Sequence, residues 1–428
     1  MQEFKRLAAG FRITGEGMKS ALGRYTYQEG LPALAAAACS NGADAVWVFD
    51  GSQDDESHEA AVLAVREAAR TVDAPIVAGG YVKRLEDVKK YLYAGAAAVY
   101  LDGSSPENVD LVKEAASRFG HEKIYAWLPD PESLNRAEEL SQLGASRMLL
   151  GPAAGGTGLS QRFFFMDVFQ GDVRETARNL AACLALPQAE GVILEAAPER
   201  LSGWMELKQA LLKENIPADT FRSPLEWEDF KAGPGGLVPV VVQDYRTLEV
   251  LMLAYMNREA FYATLETGRM TYFSRSRQRL WVKGETSGNF QYVKALSVDC
   301  DRDTLLARVH PAGPACHTGN NTCFFTGLVK KEYRETNPLK VFEEVYGVIL
   351  DRREHPKEGS YTNYLFDKGL DKILKKLGEE ATEIVIAAKN PNSEEVKYEI
   401  SDFLYHMMVL MAQKGITWEE ITAELADR

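Results

Sequence analysis

The chain has 428 residues, 46% of them apolar and 26% charged, and a formal net charge of −13. That balance suits several packed globular domains and excludes a non-specific nucleic-acid binder, which needs a basic surface. No apolar run approaches the ~20 residues of a membrane helix, and the opening MQEFKRLAAG lacks the apolar stretch of a secretion signal. A cytoplasmic protein with small-molecule partners, no nucleic acid and no membrane is therefore expected.

Residues 1–215 alternate short apolar runs with amphipathic stretches. AVWVF (45–49) precedes ESHEAAVLAVREAART, APIVAGG precedes RLEDVKKYLYAG, and AAVYLDG precedes PENVDLVKEAASRF. KIYAWL with PESLNRAEELSQLG, and then RMLLG, continue the pattern. Strands separated by helices of this length predict βαβ units and a parallel sheet, either a barrel or a doubly wound sheet. NIPADTFRSPLEWEDFKAGPGG then reads as a linker.

From 238 to about 329, β-favouring runs dominate: VPVVVQDY, MTYFSRS, LWVKGET, NFQYVKALSVDC and TLLARVH. One helix, NREAFYATLETG, has Asn257 as N-cap and Gly268 as stop. The spacing predicts a compact α+β domain, ended by a break at KKEYRETNPL. Residues 339–428 show apolar residues at three- and four-residue spacing in four stretches. Four helices with short joins predict a bundle, its last helix opened by a Thr417–Glu420 capping box.

Two clusters carry candidate metal chemistry. Three of the five cysteines, Cys300, Cys316 and Cys323, lie close together, with His317 adjacent. In a reducing compartment such a cluster reads as metal or catalysis before disulfide. Three thiolates suit zinc with one position open for water; buried thiols packing as small hydrophobes would give the same spacing. Asp299, Asp301 and Asp303 suit a harder ion such as Mg²⁺, or a solvated edge strand. If SVDCDRDT is extended, its alternation puts the carboxylates on one face and Cys300 on the other. Cys300 would then meet Cys316 and Cys323 of a second subunit, a zinc site shared across a dimer.

Upstream, Arg275, Arg277, Arg279 and Lys283 occur with no acid between Thr271 and Lys283. On an acidic chain this suggests phosphate capture. GETSGN adds the hydroxyls of Thr286 and Ser287 and flexible amides. In the helical tail, Glu380 with Glu383 and Glu399 with Asp402 are each three apart and share a helix face. Two such pairs facing each other would hold Mg²⁺; two solvent-facing acidic stripes are the plainer reading.

VLMLAYMN, YFSRSRQRLWVKGETSGNF, DCDRDTLL and GPACHTGNNTCF, in order from about Leu225 to Phe325, resemble phosphoribosyl-AMP cyclohydrolase. The resemblance implies a homodimer with zinc thiolates at Cys300, Cys316 and Cys323, magnesium carboxylates at Asp299, Asp301 and Asp303, and proton transfer by His317. PKEGSYTNYLFDKG and the carboxylate pairs are similar to phosphoribosyl-ATP pyrophosphohydrolase, an all-α MazG-like bundle. Its metal pairs fall on Glu380–Glu383 and Glu399–Asp402, with Glu379 assisting and Lys372, Lys376 and Lys389 near phosphate. Residues 40–105 resemble the histidine-pathway (βα)8 barrels, with Gly79-Gly80 where phosphate-binding glycines follow a strand. FRITGEG offers no aspartate at the first strand, and IYAWLPD places Trp127 and Leu128 near the second expected one.

The expected chain is thus a bifunctional hydrolase with a degenerate barrel at 1–215, a cyclohydrolase at 222–330 and a pyrophosphohydrolase at 338–428. A trifunctional enzyme with a live barrel, or a silent metal-binding scaffold, are the alternatives.

Overall fold

The structure, a computed structural model, describes residues 4–105, 108–152, 158–329, 331, 340–391 and 393–426. It divides into two compact units, Met1–Gly327 and Leu328–Arg428. The chain opens with β1 (Arg6–Thr14), a short hairpin of β2 (Gly17–Ser20) and β3 (Thr26–Tyr27), and α1 (Leu31–Ser40). Strand and helix then alternate through β4 (Ala45–Asp50), α2 (Asp55–Thr71), β5 (Ile76–Gly79), α3 (Leu85–Tyr93), β6 (Ala98–Asp102) and α4 (Asn108–Phe119). There follow β7 (Ile124–Leu128), α5 (Ala137–Gln142), β8 (Arg147–Leu150), β9 (Phe163–Phe169), α6 (Val173–Leu184), β10 (Ala189–Ala196) and α7 (Trp204–Lys213). Among the described residues no helix lies between β8 and β9, and most of the GPAAGGTG loop falls outside them.

Eight of these strands run parallel in the order β1, β4, β5, β6, β7, β8, β9, β10, and β10 returns to pair with β1 from Arg6–Gly191 to Ala9–Leu194. The sheet is therefore a closed barrel, which settles the choice that periodicity left open. Strands buried on both faces need apolar residues on both; every residue of AVWVFD in β4 is buried. Leu7, Ala9 and Phe11 face the helices, while Ala8 joins the interior cluster. That interior is filled by rings: Trp47 lies 5.3 Å from Phe164, 5.8 Å from Tyr125 and 6.1 Å from Tyr100 between centroids. Gly80 has φ +119°, and a Cβ there would fall 2.3 Å from the Asp50 carbonyl oxygen. Close strand packing alone requires that glycine.

In the same unit, β11 (Val238–Asp244), β12 (Val250–Met256), α8 (Arg258–Thr267), the hairpin β13 (Thr271–Ser274) with β14 (Arg279–Val282), β15 (Gln291–Val298) and β16 (Leu305–Pro311) follow. Four of them form a sheet ordered β12-β11-β16-β15. Val238, Val240 and Val242 alternate into its core. Asn257 caps α8 by accepting from the Ala260 amide at 3.0 Å, and Gly268 ends it at φ +70°.

The second unit is helical: α9 (Val341–Glu354), α10 (Tyr361–Lys368), α11 (Leu370–Ala387), α12 (Ser393–Lys414) and α13 (Trp418–Ala426). These are five helices where four were expected. The extra one, α10, is eight residues long between its Ser360 cap and Gly369, too short for periodicity to reveal. The Thr417–Glu420 box forms, with both reciprocal hydrogen bonds present. Most of the break KKEYRETNPL, and with it the expected boundary at 330–338, lies outside the described residues.

Trp47→Ala should cost about 3–5 kcal/mol of barrel stability, measured by urea unfolding. A loss well under 1 kcal/mol would show that the rings do not fill the barrel tightly.

Candidate active sites

The segment expected to be an extended ribbon is a turn. Val298 pairs with Leu305, and residues 299–304 reverse the chain between β15 and β16. Arg302 adopts φ +65°, and its amide donates to the Asp299 carbonyl at 3.3 Å. Asp299 Oδ1 accepts from the amides of Asp303 and Thr304 at 3.0 and 3.1 Å. Its surroundings oppose the charge, but the amides of Thr304 and Asp303 outweigh that and hold its carboxyl below the usual range. Carboxyl oxygens of Asp299, Asp301 and Asp303 all come within 4.8 Å of one another. In an extended strand Asp299 and Asp303 would stand about 13 Å apart. Reversal, not alternation, makes the cluster, so the facing argument for Cys300 fails.

Cys316 and Cys323 lie in the loop after β16, at the opposite end of the sheet. The Cys323 amide donates to Leu251 O at 2.7 Å, and the Thr322 hydroxyl to Val250 O at 2.7 Å. The anchoring strand is bulged: Val242 pairs with Met252 and Gln243 with Val250, leaving Leu251 as the extra residue. A bulged residue has no ladder partner, and its carbonyl is what holds Cys323. Thr318 Oγ1 donates to Cys316 Sγ at 3.1 Å, which holds that thiol below its ordinary pKa. Cys323 is pushed up, first by burial and then by the neighbouring Cys316. His317 Nδ1 stands 4.0 Å from Cys316 Sγ. Cys300, in the Asp turn, is more than two strands sideways and about three residues along from this pair, on the order of 15 Å. Among the described residues no single-chain cluster contains all three thiols.

The basic residues separate into two groups. Arg275 and Arg277 lie in the exposed turn between β13 and β14, and Arg279 is exposed at the start of β14. Arg275 Cζ stacks 3.9 Å over the Tyr255 ring. Among the described residues none of the three pairs with a carboxylate. Lys283 is only 7% exposed and lies beside Cys323 and Cys316; burial lowers its pKa and the two thiols oppose that. Thr286 and Ser287 are exposed in the turn from Gly284 to Gly288. That turn abuts the thiol loop, since a Cβ on Gly313 would meet Asn289 Oδ1 at 2.5 Å.

In the helical unit, carboxyl oxygens of Glu380, Glu383 and Glu399 come within 4.8 Å of one another. Asp402 stands outside that set. Glu380 is buried, and His406 Nδ1 and Lys376 Nζ each approach its Oε1 at 3.6 Å. Tyr361 and His406 Nε2 are 3.1 Å apart, which fixes the ring. Glu379 is held low by Lys376 at 2.9 Å. Glu399 is raised, first by desolvation and then by the charges of Glu383 and Glu380. His406 went unread in the sequence, although it follows Asp402 by four on the same helix face. Thr318 was missed too, because a hydroxyl beside a CH pair carries no pattern.

At the carboxyl ends of the barrel strands, Arg12 occupies β1 and stacks 5.6 Å from Phe49, and Trp127 packs on the same ring at 6.1 Å. Asp130 caps a turn, accepting from the Ser133 amide at 2.8 Å.

Three family models match the chain: Phosphoribosyl-AMP cyclohydrolase over residues 252–325, Phosphoribosyl-ATP pyrophosphohydrolase over 342–428, and Histidine biosynthesis protein over 18–128. Among its relatives is the histidine biosynthesis bifunctional protein HisIE of Thermoanaerobacter pseudethanolicus, 51% identical over 210 residues, which are 46% of this chain and 97% of that protein. The proteins of the same name from Bacillus subtilis and Thermus thermophilus are 47% identical over 201 residues and 51% over 193. Those matches span 47% and 45% of this chain, and 95% and 89% of the relatives. The chain is a multifunctional hydrolase of histidine biosynthesis, and it belongs to the bifunctional HisIE family, with a barrel added on the N-terminal side.

Proposed function

We propose that the chain hydrolyses phosphoribosyl-ATP to phosphoribosyl-AMP and pyrophosphate at the helical carboxylates, then opens the adenine ring of phosphoribosyl-AMP at the thiol loop. It would do so in the cytoplasm, with the barrel at 1–215, the cyclohydrolase at 222–330 and the pyrophosphohydrolase at 338–428. The observation that carries the second step is the separation of Cys300 and the Asp turn from Cys316 and Cys323 along one sheet.

The donor chemistry fits zinc at the thiols: Cys316 is already favoured as thiolate by Thr318, and the Lys283 cation lies beside the pair. Two thiols from one chain are too few, and the third is out of reach. A second copy, placed with its Asp turn against the thiol loop, would supply Cys300 together with Asp299, Asp301 and Asp303. The active form is therefore a homodimer with sites built from both chains. Cys316 and Cys323 of one chain and Cys300 of the other would hold zinc, which would supply an acidified water for the attack. Asp299, Asp301 and Asp303 would hold Mg²⁺, which would supply charge for binding the ribosyl phosphates, and Arg275, Arg277, Thr286 and Ser287 bind the same anionic groups. Lys283, buried beside the thiols, faces the reacting end of the nucleotide. His317 carries the proton from the attacking water to N1 as the N1–C6 bond opens.

At the helical site the crowded carboxylates fit Mg²⁺, because their mutual repulsion is what a cation relieves. His406, tied to Tyr361 and to the Asp402 carbonyl, stands beside Glu380; exposed Glu383 takes the proton of the attacking water, and Glu399 and Asp402 complete the cradle. Magnesium held by these carboxylates would supply charge neutralisation for the leaving pyrophosphate. The barrel has an arginine and a tryptophan where its family's acid–base aspartates are expected, and we assign it no isomerase or cyclase activity.

Cys300→Ala and Cys316→Ala homodimers should each lose ring opening and zinc. Refolding the two variants together should restore about a quarter of the wild-type activity, since half the dimers are mixed and each holds one intact site. If mixing restored nothing while each variant stayed folded, the shared site would be wrong. Glu380→Ala should block release of pyrophosphate and leave ring opening of supplied phosphoribosyl-AMP intact.

A raised Glu399 means the folded chain binds protons more readily than the unfolded one, so this group's contribution disfavours folding as pH rises through its folded pKa. Glu399→Gln should therefore raise the metal-free melting temperature of the helical unit at neutral pH. Mg²⁺ should raise that of the wild type and leave Glu380→Ala nearly unmoved. An unchanged wild-type melting temperature with Mg²⁺ would remove the metal from this site.

A further inference from the structure

The relatives match almost their whole length without the barrel, so what the barrel contributes to this chain is a question the shared chemistry does not answer. Three hydrogen bonds between the barrel and the domain of the four-stranded sheet converge on one residue. Asp73, just after α2, accepts from Lys294 Nζ at 2.7 Å, the Tyr245 hydroxyl at 2.9 Å and Arg246 Nη2 at 3.1 Å. Its partial burial opposes ionisation, yet these three donors hold its carboxyl at about 2. A second contact, Arg269 Nε to Asn41 Oδ1 at 3.1 Å, flanks it. Between them the junction encloses a cavity of about 340 Å³ that His310 and Tyr292 also line.

The sheet residues in this clamp are placed by features that also place the thiol loop. Lys294 is the extra residue of a bulge between Val293 and Ala295, and a bulge re-aims the side chain it carries. Tyr245 and Arg246 belong to the turn joining β11 to β12. That turn is itself tied: Asp244 Oδ1 accepts from the amides of Arg246 and Thr247 at 2.8 and 3.0 Å, and Gln243 Nε2 donates to Leu248 O. Val250 and Leu251, whose carbonyls hold Thr322 and Cys323, begin four residues after Arg246. On the other side, His310 packs edge-on against Tyr245 at 5.8 Å, and β16 ends one residue later and leads into the loop with Cys316. Both chain segments that anchor the thiols thus leave directly from the clamp. The Asp299–Asp303 turn is reached from the clamp only along β15, five residues beyond Lys294, and lies at the far end of the sheet.

We propose that the barrel acts as a rigid brace for the cyclohydrolase, and that Asp73 is a positioning residue for the loop carrying Cys316 and Cys323. This deepens the assignment of ring opening to that loop. The coupling itself is read without metal or substrate, so it fails separately from that assignment. Asp73 has a half-exposed side chain, so its replacement leaves no cavity in a core.

The test is amide hydrogen exchange on the full metal-free chain, comparing wild type with Asp73→Ala. The segment spanning Cys316 to Cys323 should exchange about fivefold faster, while the Asp299–Thr304 turn keeps its rate. Asp73→Glu should restore most of the protection. With zinc restored, the kcat of ring opening should fall by a similar factor while pyrophosphate release is unchanged. Equal acceleration at both ends of the sheet would mean a general loss of stability and would overturn the proposal, as would no change at either end. Should Asp73→Ala fail to fold, Tyr245→Phe, which removes one donor only, should show the same one-ended change on a smaller scale.

Discussion

The Asp turn and the thiol loop are fixed at opposite ends of one short sheet, their side chains cannot converge within a chain, and much of the proposed chemistry follows from that separation. A seven-residue strand spans about 20 Å, and side chains of cysteine and aspartate reach only a few ångströms. At one end the Asp299 carboxylate accepts from the amides of Asp303 and Thr304, and at the other the Cys323 amide donates to the Leu251 carbonyl, all at ordinary length. On the proposed reading, geometry of this kind would make assembly a condition of chemistry, with each end supplying half of what the reaction needs.

The helical unit meets the opposite problem. There the ligands already crowd together, and the burial of Glu380 with Glu383 and Glu399 close by leaves Glu399 raised. Around this tension stand compensating groups: His406 and Lys376 approach Glu380, and Lys376 also holds Glu379. If these carboxylates take a divalent ion as proposed, the site would exchange some folding stability for that readiness, a trade common where function requires like charges to be close.

Much of this was legible in the sequence, and the failures have physical causes. Strand and helix alternation from Ala45 to Leu150 could be read because parallel strands are apolar on both faces. Barrel closure could not, since β10 meets β1 across nearly two hundred residues. The three aspartates were recognisable as a cluster, but their period of two suggested a strand; the left-handed Arg302 turned the chain instead, and nothing about an arginine announces φ +65°. Lys283 read as one more cation of a basic run, whereas the fold buries it against sulfur. Neither bulge left a trace in composition, although Leu251 and Lys294 decide where the thiol loop and the barrel attach.

The seating of Thr322 and Cys323 on Val250 and Leu251 has one more consequence. β12 is an outer strand of its sheet, with unpaired backbone groups along its free side and Leu253 about half exposed. Strands of that sort template pairing with other chains unless something covers them. The cysteine segment covers the first two residues of that strand, so chemistry that dislodges it, such as oxidation of the thiols, would lengthen an adhesive rim and favour aggregation along with loss of activity.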